Sequence, residues 1–344
     1  MSEKTKISWC DSTINFWRGC DKVSPGCTHC YITRAVPFRV SGQKHGDPRV
    51  LSENAFRLAE KLNRKPLICS YCGTSYADGM EEGKFPVCHA CLERFDDSDL
   101  YRRRIFSLSL GDWLDDKVPY EWLARMLDTI RRCDKVTWIL CSKRWENFGR
   151  RIIVASGKML PDNPDGSKWA HDWWCGKGIP KNIIGLCSVE DQQRLNERYI
   201  EFLEVPLACH GLSIEPLLGP IVLTEEALCQ YPKCGHARLG WLIIGGESGP
   251  MARPCNLDWI RSLRNQGFAA DVPVYVKQLG AQATLDLSDC IPESNDTDED
   301  VEACDIAAWE NYRHNVPIRL KDPAGADLAE WPADLRIQQF PTGF

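Results

Sequence analysis

Residues 240–248 read GWLIIGGES, an apolar run that ends abruptly in a glycine pair, a glutamate and a serine. A short, continuous apolar run of this kind suits a strand buried on both faces. A polar tip at its C-terminal end is where parallel α/β sheets carry their chemistry. The pattern recurs along the chain. Residues 104–110 (RIFSLSL) lead to Gly111-Asp112-Trp113, 135–141 (KVTWILC) to Ser142-Lys143-Arg144, and 182–187 (NIIGLC) to Ser188-Val189-Glu190. Residues 208–214 (ACHGLSI) lead to Glu215-Pro216 and 273–276 (PVYV) to Lys277-Gln278. Segments with helical spacing lie between the runs, at 120–132, 189–203 and 256–266, the last with Asn256 as a candidate N-cap. Alternation of this kind predicts an α/β fold, either a full or partial (β/α) TIM-like barrel or an open doubly wound sheet. Polar residues after nearly every strand would form a ring of sites, and a ring favours the barrel.

Two segments interrupt the alternation. Residues 67–95 carry four cysteines and little hydrophobic periodicity, and read as an inserted module. Residues 285–305 include ESNDTDEDVE, acidic and poor in apolar groups, and read as a mobile loop. The expected organisation is a barrel start at 1–66, the insertion at 67–95, the rest of the barrel at 96–284, the acidic loop, and a C-terminal extension, 306–344, packing on the barrel.

With 42 basic against 48 acidic side chains, the chain is mildly acidic, so any nucleic-acid surface must be local. Its candidates are Arg102, Arg103 and Arg104, with Arg131, Arg132, Lys143, Arg144, Arg150 and Arg151. No apolar run follows the N-terminal lysines, and no stretch approaches the roughly 20 apolar residues of a membrane span, which predicts a cytoplasmic protein. Eighteen cysteines in such a chain point to metal ligation where they cluster, since cytosolic thiols stay reduced. Cys133, Cys141, Cys187 and Cys209 stand singly in apolar stretches and read as core residues.

Gly19 to Tyr31, GCDKVSPGCTHCY, places Cys20, Cys27 and Cys30 as C-x6-C-x2-C in one loop. Three thiolates can hold three irons of a four-iron cluster and leave the fourth iron open. A zinc knuckle completed by His29 or Cys10 is the alternative. Cys69-x2-Cys72 and Cys88-x2-Cys91, with Gly73 after the first pair, have the spacing of a four-cysteine zinc ribbon. Cys229, Cys234 and His236, with Cys255 downstream, form a third and irregular group. The tryptophans around Trp169, Trp173 and Trp174 suit core packing, with base stacking as the alternative. Glu215 and Glu247 each follow an apolar strand beside Pro or Gly and are candidate site residues, as is Lys277. Arg253, Lys277 and Gln278 are candidate anchors for a phosphate or carboxylate.

Residues 7–31 resemble the opening of the phage three-Cys-motif family (Gp37/Gp68), placed among radical S-adenosylmethionine-like barrels. The resemblance continues through 186–191 (LCSVED), 212–220 (LSIEPLLGP), 243–250 (IIGGESGP), 252–254 (ARP) and 276–280 (VKQLG). It implies a barrel of radical SAM type in which Cys20, Cys27 and Cys30 bind a 4Fe-4S cluster whose open iron chelates S-adenosylmethionine. The six residues between the first two cysteines depart from the C-x3-C-x2-C common in that superfamily. Asp112 would then meet the cofactor's ammonium, Ser188 and Glu190 its ribose hydroxyls, and Gly245-Gly246 would let backbone approach it. Glu215, Glu247 and Lys277 become the candidate catalytic residues, and Arg103, Arg144, Arg253 and Gln278 the substrate contacts. The resemblance further implies an external electron donor, a nucleotide or nucleic-acid substrate in phage-related modification or repair, and a partner protein encoded nearby. Two rivals are a non-catalytic zinc-binding nucleic-acid protein and an iron–sulfur redox or photolyase-like repair protein that does not use S-adenosylmethionine.

Overall fold

The computed structural model describes residues 2–77, 90–91, 100–224, 228, 239–286 and 316–344. Its main sheet has strands β1 (Ser12–Ile14), β2 (Arg104–Ser107), β3 (Thr137–Ser142), β4 (Ile183–Ser188), β5 (Cys209–Ile214), β6 (Leu239–Gly245) and β7 (Val274–Gln278). All seven are parallel, and their order in space is their order in the chain. Each crossover therefore steps to the next neighbour in one direction, and the reversal that gives a doubly wound sheet its switch point does not occur. A sheet wound this way curls, here into a half-barrel.

Side chains that bridge the concave face report the curl. The Trp9 ring lies 4.7 Å from Phe106 on β2 and 6.2 Å from Trp241 on β6. Phe340 packs on the Arg104 guanidinium at 3.6 Å and on Tyr275 of β7 at 5.2 Å. Alternation along each strand sorts the core into two layers. Trp138, Leu140, Leu212, Ile214, Leu242 and Ile244 pack outward under the helices. Ile139, Ile184, Leu186, Ile243 and Tyr275 fill the concave side.

The outer layer comprises α1 (Glu53–Asn63), α2 (Tyr120–Arg132), α3 (Phe148–Met159), α4 (Pro164–Trp174), α5 (Gln192–Leu203) and α6 (Leu257–Ala269). Asn256 caps α6 by accepting from the Asp258 amide at 2.8 Å. Helix α5 starts three residues later than its spacing suggested. Asp191 caps it, accepting from the Arg194 amide at 2.8 Å, so residues 188–190 are left to the strand tip. Trp173 on α4 is fully buried and stacks on Trp113 at 6.3 Å, so it is core rather than a platform for bases. No helix among the described residues is long and apolar enough to cross a membrane.

A small antiparallel sheet sits at the N-terminal rim of the barrel, with Leu67–Cys69 between Ser75–Tyr76 and Leu100–Arg102. Its third strand lies beyond residue 95, so the inserted unit runs further than its cysteines suggested. Arg103 joins this sheet to the barrel. It is 5% exposed, donates to Ser12 Oγ on β1 at 3.0 Å, and also donates to Ser75 Oγ.

That position corrects the expectation that Arg103 meets substrate, because it lies at the opposite end of the strands from their polar tips. Of the rest of the basic strip, Lys143 and Arg144 lie at the tips, but its other members are held elsewhere. Arg131 and Arg132 pair with Asp128, Arg132 also with Glu60, and Arg150 with Asp116. Arg151 is buried and donates to the Val118 carbonyl at 2.8 Å. Replacing Arg103 by Ala should therefore lower stability, by about 1–3 kcal/mol for the orphaned partners, as read from the urea midpoint. A midpoint equal to that of the parent would remove this tie from the fold.

In residues 316–344, Trp331 and Leu335 join the outer core layer, Phe340 and Phe344 pack on the concave side, and residues 337–339 run along β7. The Val276 amide donates to the Ile337 carbonyl at 2.8 Å and the Gln339 amide to the Val274 carbonyl at 2.9 Å. The acidic run, from residue 287 onward, lies outside the described residues.

Candidate active site at the strand tips

The C-terminal ends of the strands open into a cavity of about 430 Å³, within the ~300–1,000 Å³ typical of ligand pockets. Phe106, Cys141 and Ser213 belong to its barrel side, Glu215, Gly246, Glu247 and Lys277 to the tips, and Cys20, Cys27, His29, Cys30 and Tyr31 to the loop above. The three-Cys loop thus faces the polar ends of the strands.

The loop begins at Gly19, whose φ of +116° is open to glycine and whose Cβ would stand 2.9 Å from Arg49 Cδ. Two glutamates then bolt the loop down. On β4's tip, Glu190 is wholly buried and accepts from the Gly26 amide at 3.0 Å, Lys143 Nζ at 2.9 Å and Arg198 Nη1 at 3.0 Å. A side chain at residue 26 would meet Glu190 Cδ at 3.0 Å, which accounts for the glycine. Beyond β6, Glu247 holds Arg253 at 2.7 Å and lies 3.4 Å from His29 Nδ1. Arg253 in turn donates to the Pro25 carbonyl at 3.0 Å. Arg34 of the loop donates to the Ser248 carbonyl at 3.1 Å, and Tyr31 Oη to that of Ser109 at 2.6 Å.

Arg144, after β3, points both terminal nitrogens at Cys20 Sγ, at 3.7 and 3.8 Å. Asp112 aims it, accepting from Arg144 Nη1 at 2.8 Å, Ser142 Oγ at 2.7 Å, and the Leu114 and Lys143 amides at 3.0 and 3.2 Å. Burial pushes the Cys20 thiol up to about 12 although Arg144 opposes the rise, and burial raises Cys30 as well. Among the described residues, Cys69, Cys72 and Cys91 are the trio whose ligand atoms all lie within 4.8 Å of one another. Cys20, Cys27 and Cys30 are not gathered so tightly.

A family of proteins of unknown function, DUF5131, matches residues 4–313. The chain belongs to that family. No curated protein and no solved structure matches it. The DUF5131 match takes in the three-Cys loop, all seven barrel strands and the small sheet.

Within this DUF5131 chain the expected site residues fall into two groups. Glu215 and Lys277 face the cavity and pair with each other. Asp112, Ser188 and Glu190 are engaged by protein, Ser188 through Lys143 Nζ at 2.8 Å, and Asp112 and Ser188 also line the cavity. Glu247 and Arg253 hold the loop. The Gly245-Gly246 pair serves strand packing, since a Cβ on Gly246 would stand 2.3 Å from the Leu279 carbonyl oxygen. Gln278 donates its amide to the Gly246 carbonyl at 2.7 Å across the same contact.

Sequence reading missed Cys141, taken for core, and undervalued Lys143, Ser213 and His29, all of which line the cavity. Counting inward positions from Ile139 and Tyr275 would have reached Cys141 and Lys277. Cys255 is fully buried; Cys229, Cys234, His236 and Cys88 lie outside the described residues.

Proposed function

We propose that this DUF5131 protein is a radical S-adenosylmethionine-type iron–sulfur enzyme acting on a nucleotide-sized substrate. The observation that carries the reading is the placement of Cys20, Cys27 and Cys30 on one loop over the strand-tip cavity. Three ligands from such a loop leave one iron of a four-iron cluster open toward the cavity. When bound, the cluster and its cofactor supply reductive sulfonium cleavage, a reaction the polypeptide cannot perform alone.

The chain's own residues then have definable tasks. Arg144 donates N–H groups to the sulfur of Cys20 and favours added negative charge there, with Asp112 fixing its direction. Glu190 and Glu247 hold the loop against the tips. Glu215 and Lys277, partnered with each other, offer a carboxylate to a ligand's ammonium and an ammonium to its carboxylate or phosphate. The apolar walls below them, with Trp9, Phe106 and Leu108, would limit water at the reacting centre. A polymer would have to present an extruded or single-stranded nucleotide to enter.

The test is anaerobic reduction of the purified protein with dithionite in the presence of S-adenosylmethionine. Release of 5′-deoxyadenosine by the parent, and its absence in Cys30→Ala, is the expected result. Zinc in place of iron at the three-Cys loop would favour the metal-binding, non-catalytic rival.

A further inference from the structure

The small sheet at the N-terminal rim has its own constellation, remote from the strand tips. Cys69 ends the strand Leu67–Cys69, and the chain then turns tightly through Cys72 and Gly73. Gly73 has φ +69°, the left-handed region that favours glycine. Its amide donates to the Cys69 carbonyl at 2.9 Å, and the Cys69 amide donates to the Thr74 carbonyl at 3.0 Å. Cys91 reaches the same place from a separate stretch of chain. Its Sγ is 4.0 Å from that of Cys69, and all three sulfurs lie within 4.8 Å of one another. A tetrahedral ion with metal–sulfur bonds of about 2.3 Å sets its sulfurs about 3.8 Å apart, so the trio stands close to the required geometry.

Among the described residues, the cluster packed within this sheet is Cys69 and Tyr76, with Leu67, Cys91 and Leu100 at the side. Strands of two and three residues give this sheet a short hydrogen-bonded ladder, which a metal staple would reinforce. Its outer strand Leu100–Arg102 nevertheless carries contacts that matter to the barrel. Tyr101 Oη donates to Asp11 Oδ1 at 2.8 Å, and Arg103, next in the chain, ties Ser75 to Ser12 at the start of β1.

We infer that Cys69, Cys72 and Cys91 are three ligands of a structural zinc ion, and that this ion fastens the small sheet to the N-terminal rim of the barrel. Thiolates select a soft or borderline cation over calcium or magnesium, and zinc is the one that takes a closed tetrahedral site without redox chemistry. The site stands on the far side of the concave core from the three-Cys loop. Its ion therefore braces the fold and takes no part in the cavity.

Metal analysis of the desalted full-length protein, by mass spectrometry for zinc and iron together, tests this independently of the proposed function. Cys72 is exposed, so Cys72→Ser removes a ligand with little loss of packing. It should lower zinc by about one ion per chain and leave iron unchanged. That difference of one holds even if the three-Cys loop proves to carry zinc. A thiol-competing chelator applied to the parent should lower its melting temperature by about 5 °C or more, with little further effect on Cys72→Ser. Zinc content equal in parent and variant, or a melting temperature indifferent to zinc removal, would overturn the inference.

Discussion

Protein purified without oxygen should carry about four irons and four sulfides per chain, and Cys20→Ala, Cys27→Ala and Cys30→Ala should each carry almost none. The three thiols come from a single loop, and Cys141, the other cysteine lining the cavity, belongs to β3 on its barrel side. With one ligand removed, no spare thiol of the loop can substitute. Arg144→Gln separates assembly from tuning. Iron should remain near the parent level, while the reduction potential, followed by electron paramagnetic resonance during a redox titration, moves to more negative values. The direction follows from the lost N–H donors at 3.7 and 3.8 Å from Cys20, which stabilise the more negative, reduced state. Full iron in all three alanine variants would sink the cluster assignment.

The second large effect concerns Glu190. Its carboxylate is fully buried and faces Lys143 and Arg198 at 2.9 and 3.0 Å. Glu190→Gln leaves two cations without their counter-charge, a change that costs about 3–5 kcal/mol when a buried pair is broken. Burial alone would raise this carboxyl, but Lys143, the Ser24 hydroxyl and Arg198 outweigh it and hold the group at about 2, below its ordinary 4.5. A group depressed on folding contributes its full stability above the unfolded value and loses it as pH falls through the folded one. The parent should therefore weaken between pH 4.5 and about 2 more steeply than Glu190→Gln, as measured by urea midpoints across that interval. Parallel profiles would mean that Glu190 does not carry this linkage. Because Glu190 also holds the Gly26 amide, the variant should retain its cluster less well during gel filtration.

The barrel was legible in the sequence because the strands are continuous apolar runs buried on both sides, and because each is followed by a polar tip. Residues 135–141 and 182–187 gave β3 and β4 to within two residues at either end. The helix over 120–132 appears with those bounds as α2. Other features were hidden for physical reasons. Helix α3 carries two glycines, α4 carries Gly166 and three tryptophans, and their packing partner Trp113 is distant in sequence. The glutamates of the tips read as ligand groups because one chain cannot disclose who neutralises whom. Only the fold brings Lys143 and Arg198 to Glu190, and Arg253 to Glu247. Arg103 misled for the same reason, since a cluster of three arginines looks like a surface until its neighbours Ser12 and Ser75 are known.

A half-barrel has a difficulty that a closed barrel escapes: two exposed rows of amides and carbonyls, each a template for another chain. Here both rows are occupied from within. Ser2 exchanges hydrogen bonds of 3.0 Å with Thr13 on β1, and Gln338 bridges to Tyr275 on β7 between the two bonds that residues 337 and 339 make. These flanking segments act as insulation. They let a sheet of seven strands remain open without leaving the backbone of either edge strand bare to a further strand.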